Sequence, residues 1–209
     1  YNYFFASYIA STGDINRARE KVNHSLKRYP RNLLLNQYKA DIYRNENILA
    51  FDCKKKEHVV AELLYITANA LSSQSIYSLS NFYLNLAKYL NKDFHSFDTL
   101  LAENFYKNNN FIKAKKIYKS LSKKGEAYDW YSSKQIAKIH IKNSDQSEAL
   151  KLLKKSYNKL PNKEIYETFD YAEFLKNNEK FQESIPLYTK VINQINEELG
   201  FVGTPSDIN

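Results

Sequence analysis

Small residues recur in pairs twelve positions apart along this chain. Ala6 and Ala18, Ala68 and Ser80, Ala102 and Ala114, Ala137 and Ala149, and Ala172 and Ser184 all keep that spacing. The first members, with Ala40 added, fall at 6, 40, 68, 102, 137 and 172, in steps of 34, 28, 34, 35 and 35. In "LLAENFYKNNNFIKAKKIYKSL", residues 100–121, Leu101, Ala102 and Phe105 share one helical face. Ala114, Tyr118 and Leu121 share another, and the polar "KNNN" between them breaks the helix. This is a pair of short amphipathic helices joined by a tight turn. Where two helices cross closely, a small residue on each lets the backbones approach, and aromatic neighbours fill the flanks. The pattern predicts an all-α chain of stacked helix pairs, with helices of roughly 11 to 15 residues. It also predicts that Ala102, Ala114, Ala137 and Ala149 are buried at helix crossings.

A helix–turn–helix period of 34 residues with small residues at these places resembles the tetratricopeptide repeat. The fullest match is "ASYIASTGDINRAREKVNHSLKRYP", which carries the Gly-Asp turn, both small residues and the closing proline. The text of "AELLYITANAL", "NFYLNLAKYLNKDF" and "YAEFLKNNEKFQESIPLYTKVI" resembles long tetratricopeptide-repeat proteins of alphaproteobacteria. The resemblance implies a right-handed α-solenoid of about five to six repeats. They would lie near 1–32, 33–60, 61–94, 95–128, 130–163 and 165–198, within an array over 1–199, with 200–209 a tail or break. The second is degenerate: it has only 28 residues before the next begins. An irregularity is therefore expected between Asn45 and Glu57. Pro186 falls early in the last second helix, where a short or bent helix is expected.

Composition bounds the chemistry. Hydrophobic residues make up 43% and aromatics 15%, enough to bury a core and exclude wholesale disorder. Four glycines and four prolines are too few for an all-β chain or a glycine-rich phosphate loop. Cys53 stands alone, so no internal disulfide forms. No apolar run approaches the roughly 18 residues of a membrane span. A chain opening on Tyr1 rather than Met reads as an excerpt, and nothing in it names a compartment. His24, His58, His95 and His140 are scattered without ligands at metal spacing, and Cys53 with His58 makes at most half a site. There is no G-x-S-x-G and no H-E-x-x-H, and Glu103, Glu148 and Glu173 read as carboxylates of ordinary amphipathic faces. No catalytic residue, cofactor or metal is expected, and the chain does not read as an enzyme.

What remains is surface. By the resemblance, first helices line a concave groove that takes a peptide or a partner helix. Its residues would be Tyr65 and Asn69, then Thr99 and Glu103, then Tyr131, Lys134 and Lys138, then Tyr166, Phe169 and Glu173. Tyrosine suits such a groove because it buries much area with few rotors, although some of these rings are needed for packing between repeats. Repeats that grip a chaperone's terminal carboxylate use Lys and Asn at fixed places. Here those places read Tyr65, Asn69, Leu100, Tyr131 and Gln135, and the single match, Asn69, excludes that subtype.

Charge is uneven. The chain carries a net +8, while Lys107 to Leu160 alone holds fourteen lysines against four carboxylates. Lys116, Lys119 and Lys124 would align with Lys151, Lys154 and Lys159 as a basic ridge, either a solvated face or a contact for acidic partners. The reading is a protein–protein interaction scaffold whose partner is another protein. One alternative is the repeat region of a larger enzyme such as a glycosyltransferase. Another is a basic RNA-binding array of the pentatricopeptide kind, which "FIKAKKIYKSLSKKG" would suit. The step of 34 and the missing Pro-Asp closing signature disfavour that nucleic-acid reading. Oligomeric state is not legible.

Overall fold

The computed structural model describes residues 2–46 and 50–198. They form eleven α-helices, with no strand among the described residues. These are α1 (Asn2–Ser11), α2 (Ile15–Arg28), α3 (Leu33–Tyr43), α4 (Lys56–Ser73), α5 (Tyr77–Leu90) and α6 (Ser96–Lys107). Then follow α7 (Phe111–Leu121), α8 (Glu126–Lys142), α9 (Gln146–Lys159), α10 (Ile165–Asn177) and α11 (Phe181–Glu198). They gather into two compact units, one ending at Ile139 and one starting at His140.

Local chemistry explains the boundaries. Asp14, Asn32, Asn110 and Asp145 cap α2, α3, α7 and α9, each accepting the backbone N–H three residues on. Two residues past the ends of α1, α3, α4, α6, α8 and α10 stand Gly13, Asn45, Ser75, Asn109, Ser144 and Glu179, all with positive φ. In five of these turns the next residue bonds back to a carbonyl five positions earlier, as Asn110 N–H does to Phe105 C=O. That left-handed turn reverses the chain in about three residues.

In the first unit α1 packs on α2, α2 on α3, α4 on α5, α5 on α6 and α6 on α7. One core runs through Tyr3, Ile9, Val22, Leu35, Tyr38, Leu84, Phe94 and Phe97. The small residues sit where backbones meet: Ala6, Ala18, Ala68, Ala102 and Ala114 are wholly buried. At one crossing Ser80 Oγ donates to the Ala68 carbonyl at 2.7 Å. No helix lies between Tyr43 and Lys56 among the described residues, and α4 begins five residues ahead of Ala61. There Phe51 packs on Phe4 and Phe94, and Asn91 Nδ2 donates to the Ala50 carbonyl at 2.9 Å.

In the second unit α10 packs on both α9 and α11. Tyr157 stacks on Tyr171 with centroids 4.5 Å apart, and its hydroxyl shares a 3.1 Å hydrogen bond with Thr168. Ala149 and Ala172 are wholly buried, and Ser184 nearly so. Pro186 does not shorten α11, which runs 18 residues. It stands sixth in the helix and removes a single backbone bond, which the packed face of Ser184 and Val191 offsets. Helices of 17 and 18 residues, α8, α4 and α11, also exceed the length expected from the sequence.

Candidate functional site

The first-helix residues fall into two kinds. Several are engaged by the protein itself. In the first unit Tyr65 is half-buried with its ring 5.4 Å from Phe97, and burial pushes its hydroxyl up to about 12. Thr99 donates to the His95 carbonyl. Glu103 accepts from the Tyr131 hydroxyl at 2.5 Å, and Tyr131 also meets the Tyr118 ring. Burial first, then the Glu103 carboxylate, holds the Tyr131 hydroxyl far above its ordinary range. Lys134 lies 5.4 Å over the Trp130 ring, a cation–π contact within α8. Tyr65 and the Tyr131–Glu103 pair join neighbouring helices, Thr99 and Lys134 are engaged within their own, and all have little freedom to meet a ligand.

Others face solvent. Asn69 on α4 and Lys138 on α8 are exposed. In the second unit Tyr166 and Phe169 stand three residues apart on α10, both exposed. Phe169 is steadied edge-on against Tyr188, 5.9 Å away. Tyr188 donates its hydroxyl to Glu173, which also accepts from Lys176 Nζ at 2.7 Å. The Lys176 bond first, then that of Tyr188, holds the Glu173 carboxyl below its ordinary value. Glu173 thus anchors its own helix pair.

The lysines are exposed in both units. Lys116 and Lys119 ride on α7, but Lys124 falls in the turn past Leu121, because α7 ends there. Lys159 by contrast is the last residue of α9. In the second unit Lys151 lies 3.5 Å from Glu148, and Lys154 lies 3.5 Å from Glu183 on α11. Exposed pairs of this kind contribute at most about 1 kcal/mol, and here they cancel part of the local charge.

One arrangement was missed by sequence reasoning. In the first unit α3 reaches α8: Gln37 Oε1 accepts the Ala127 N–H at 3.1 Å, and Arg44 lies 3.5 Å from Glu126. Gln37 is held in turn by Asp41, to which its Nε2 donates at 2.7 Å. Gly125, with φ +150°, permits the approach, since a Cβ there would fall 2.1 Å from Gln37 Nε2. The glycine before Glu126 was the one local signal, and its partner lies nearly ninety residues away.

Among the described residues no group of three or more His, Cys, Asp or Glu side chains could hold a metal ion. No described helix is long and apolar enough to cross a membrane. No family model and no curated protein matches the chain. A solved structure does. The chain is similar to a crystal structure of nearly identical TPR-like repeats from Podosopora anserina, assigned to a kinesin light chain. The two are 13% identical over 94% of each chain, with a TM-score of 0.51. At that identity the likeness shows the fold alone. The fold is all-α, of the TPR-like helical-repeat solenoid class.

Proposed function

We propose that the chain is a non-catalytic protein–protein interaction scaffold that takes a peptide or partner helix along its first helices. Its building units are the repeats near 1–32, 33–60, 61–94, 95–128, 130–163 and 165–198, with the second degenerate. The observation that carries the reading is the pair of exposed aromatics, Tyr166 and Phe169, presented on one face of α10. Rigid aromatic rings supply affinity at small entropic cost, whereas solvated lysines supply little. Asn69 and Lys138 are the exposed polar members of the same set.

The test is to recover the partner by affinity purification and then measure its binding to two variants. Tyr166→Ala with Phe169→Ala is expected to weaken binding by about 10- to 100-fold, with little dependence on salt. Changing Lys116, Lys119, Lys124, Lys151, Lys154 and Lys159 to Gln is expected to change it little. Loss in the lysine variant alone, with a steep fall in salt, would transfer the function to an acidic or nucleic-acid partner.

A further inference from the structure

The second helices α5 and α7 turn their outermost rows away from the first helices they cross. At about 100° per residue, Phe82, Asn85 and Tyr89 lie within about 40° of the direction opposite Ser80, which bonds α4 at the crossing. Ile112, Lys116 and Lys119 lie equally close to the direction opposite Ala114, which is wholly buried. All six are exposed, Tyr89 at 87% and Ile112 at 86%.

The two rows belong to one side of the first unit. Their first helices, α4 and α6, touch, and α6 packs on both α5 and α7. The second helices also end beside one another. Lys88 near the end of α5 and Lys124 just past α7 both act on His95, the residue before α6. Burial first, then Lys124, with a smaller share from Lys88, holds that imidazole below its ordinary value against the pull of Asp98 and Asp93. Counted from the crossing residue, Phe82 holds the place of Lys116, and Asn85 that of Lys119.

The charge on this side has one sign. From Lys107 to Lys124 the chain holds seven lysines and no Asp or Glu. Lys88 meets Asp98 at 2.5 Å and Lys154 meets Glu183 at 3.5 Å. Lys116, Lys119, Lys123 and Lys124 form no ion pair among the described residues. Lysines three or four apart on a helix repel one another, and a face that only has to stay wet does better with mixed signs. An anionic partner removes that repulsion.

We propose that the outer face of α5 and α7 binds the surface of an anionic lipid membrane. The α7 lysines meet the headgroups, while Phe82, Tyr89 and Ile112 sit at the boundary with the acyl chains. Charge complementarity names the sign of the partner, and the apolar side chains name its depth. There is no arginine between Lys107 and Lys124. Lysine is a point charge that suits a diffuse anionic surface, without the fork that grips a single phosphate or carboxylate. Beside the two rings on α5 stand exposed Leu79 and Leu86, which stack on no base but enter hydrocarbon readily. No membrane-spanning helix is needed for such binding. The inference stands apart from the peptide-binding reading, with which it shares no residue.

Flotation of the full chain with vesicles of phosphatidylcholine containing about 30% phosphatidylserine tests it. Binding is expected there, with little to phosphatidylcholine alone, and it should fall steeply between about 50 and 500 mM NaCl. Each lysine near such a surface strengthens binding about 5-fold, so Lys116→Gln with Lys119→Gln and Lys123→Gln is expected to weaken it about 100-fold. Phe82→Ser with Tyr89→Ser is expected to weaken it about 10-fold or more. Lys151→Gln with Lys154→Gln and Lys159→Gln removes the same net charge elsewhere and is expected to cost less than about 5-fold. Circular dichroism checks that each variant is folded. Failure of the wild type to float with the anionic vesicles overturns the proposal, whether or not it binds an oligouridylate. So does a loss in the α9 variant equal to that in the α7 variant, or a serine variant that binds as the wild type does.

Discussion

The turns after α3 and α6 are built alike and lead to different things. Each has an asparagine in the left-handed region, Asn45 at φ 59° and Asn109 at φ 56°. Each is closed by the same backbone bond, Glu46 N–H to Asp41 C=O at 2.9 Å and Asn110 N–H to Phe105 C=O at 2.8 Å. After Asn109 the chain enters α7 at once. After Asn45 no helix forms among the described residues before Lys56. The turn therefore does not decide whether a second helix follows. Twelve residues past Ala102 stands Ala114, but twelve past Ala40 stands Asp52. A carboxylate cannot take the buried place at a helix crossing without losing its hydration. Asp52 instead shapes the approach to α4: its Oδ1 accepts Lys54 N–H and its own N–H donates to His58 Nδ1. The turn presents the chain for a crossing, and the small residue completes it.

The largest expected effect comes from moving this chemistry. Ala114→Asp places after α6 the residue that stands at the corresponding place after α3, Asp52. Ala114 is wholly buried, so the carboxylate must ionise in apolar surroundings or push the helices apart. A loss of about 3 kcal/mol or more is expected in urea denaturation, with α7 amides losing their exchange protection. Ala114→Ser is the control, expected within about 1 kcal/mol because a crossing hydroxyl can find a carbonyl. Ser80 already does so at its own crossing. An Asp variant as stable as the Ser variant breaks the comparison.

A second effect concerns what ties each first helix to the pair before it. Asn104 on α6 accepts from Ser72 Oγ at 2.6 Å and donates to Ser80 Oγ at 2.8 Å and Asn81 Oδ1 at 2.9 Å. The corresponding place on α3 is the buried Ile42. Asn104→Ala removes three bonds and leaves buried partners unsatisfied, which is expected to cost about 2–3 kcal/mol. A double-mutant cycle with Ser72→Ala measures the share carried by that bond. A coupling near zero would mean that α6 is held by the bonds to Ser80 and Asn81 and by the packing of Phe97 and Leu100, with no share carried by Ser72.

Much of this was legible because it is local. Spacing of twelve between small residues is a property of two adjacent helices, and Ala102, Ala114, Ala137 and Ala149 are all wholly buried. A shortfall of six residues is also a local count, and the stretch from Tyr43 to Lys56 carries no helix among the described residues. The contact of Gln37 with Ala127 could not be read, because it joins residues ninety apart and needs only a single glycine as its sign. For the candidate site, sequence places residues on first helices but not in solvent. Tyr65 and Tyr131 sit at groove places by spacing, yet one packs on Phe97 and the other bonds Glu103. Whether a tyrosine turns inward depends on its neighbours across the crossing, and no periodicity records them. Pro186 does not shorten α11, because one missing bond matters less than the packed face of Ser184 and Val191.

The smallest effect returns to the two turns. A β-branched residue in the left-handed region is strained by about 1–2 kcal/mol relative to one that tolerates it. Asn45→Val and Asn109→Val therefore impose the same local strain on the same backbone geometry. Either the chain bears it, or the turn opens and its closing bond is lost. At Asn109 opening would also misdirect α7, whose packing on α6 depends on the reversal. The chain must then bear the strain in full, and the upper part of that range is expected. At Asn45 no second helix follows directly, so opening releases the strain at the cost of one backbone bond, and about 1 kcal/mol or less is expected. Paired thermal melts of the two variants give the difference directly. Equal losses would mean that the segment past α3 leans on its turn as heavily as α7 does, and the distinction between the two turns would fail.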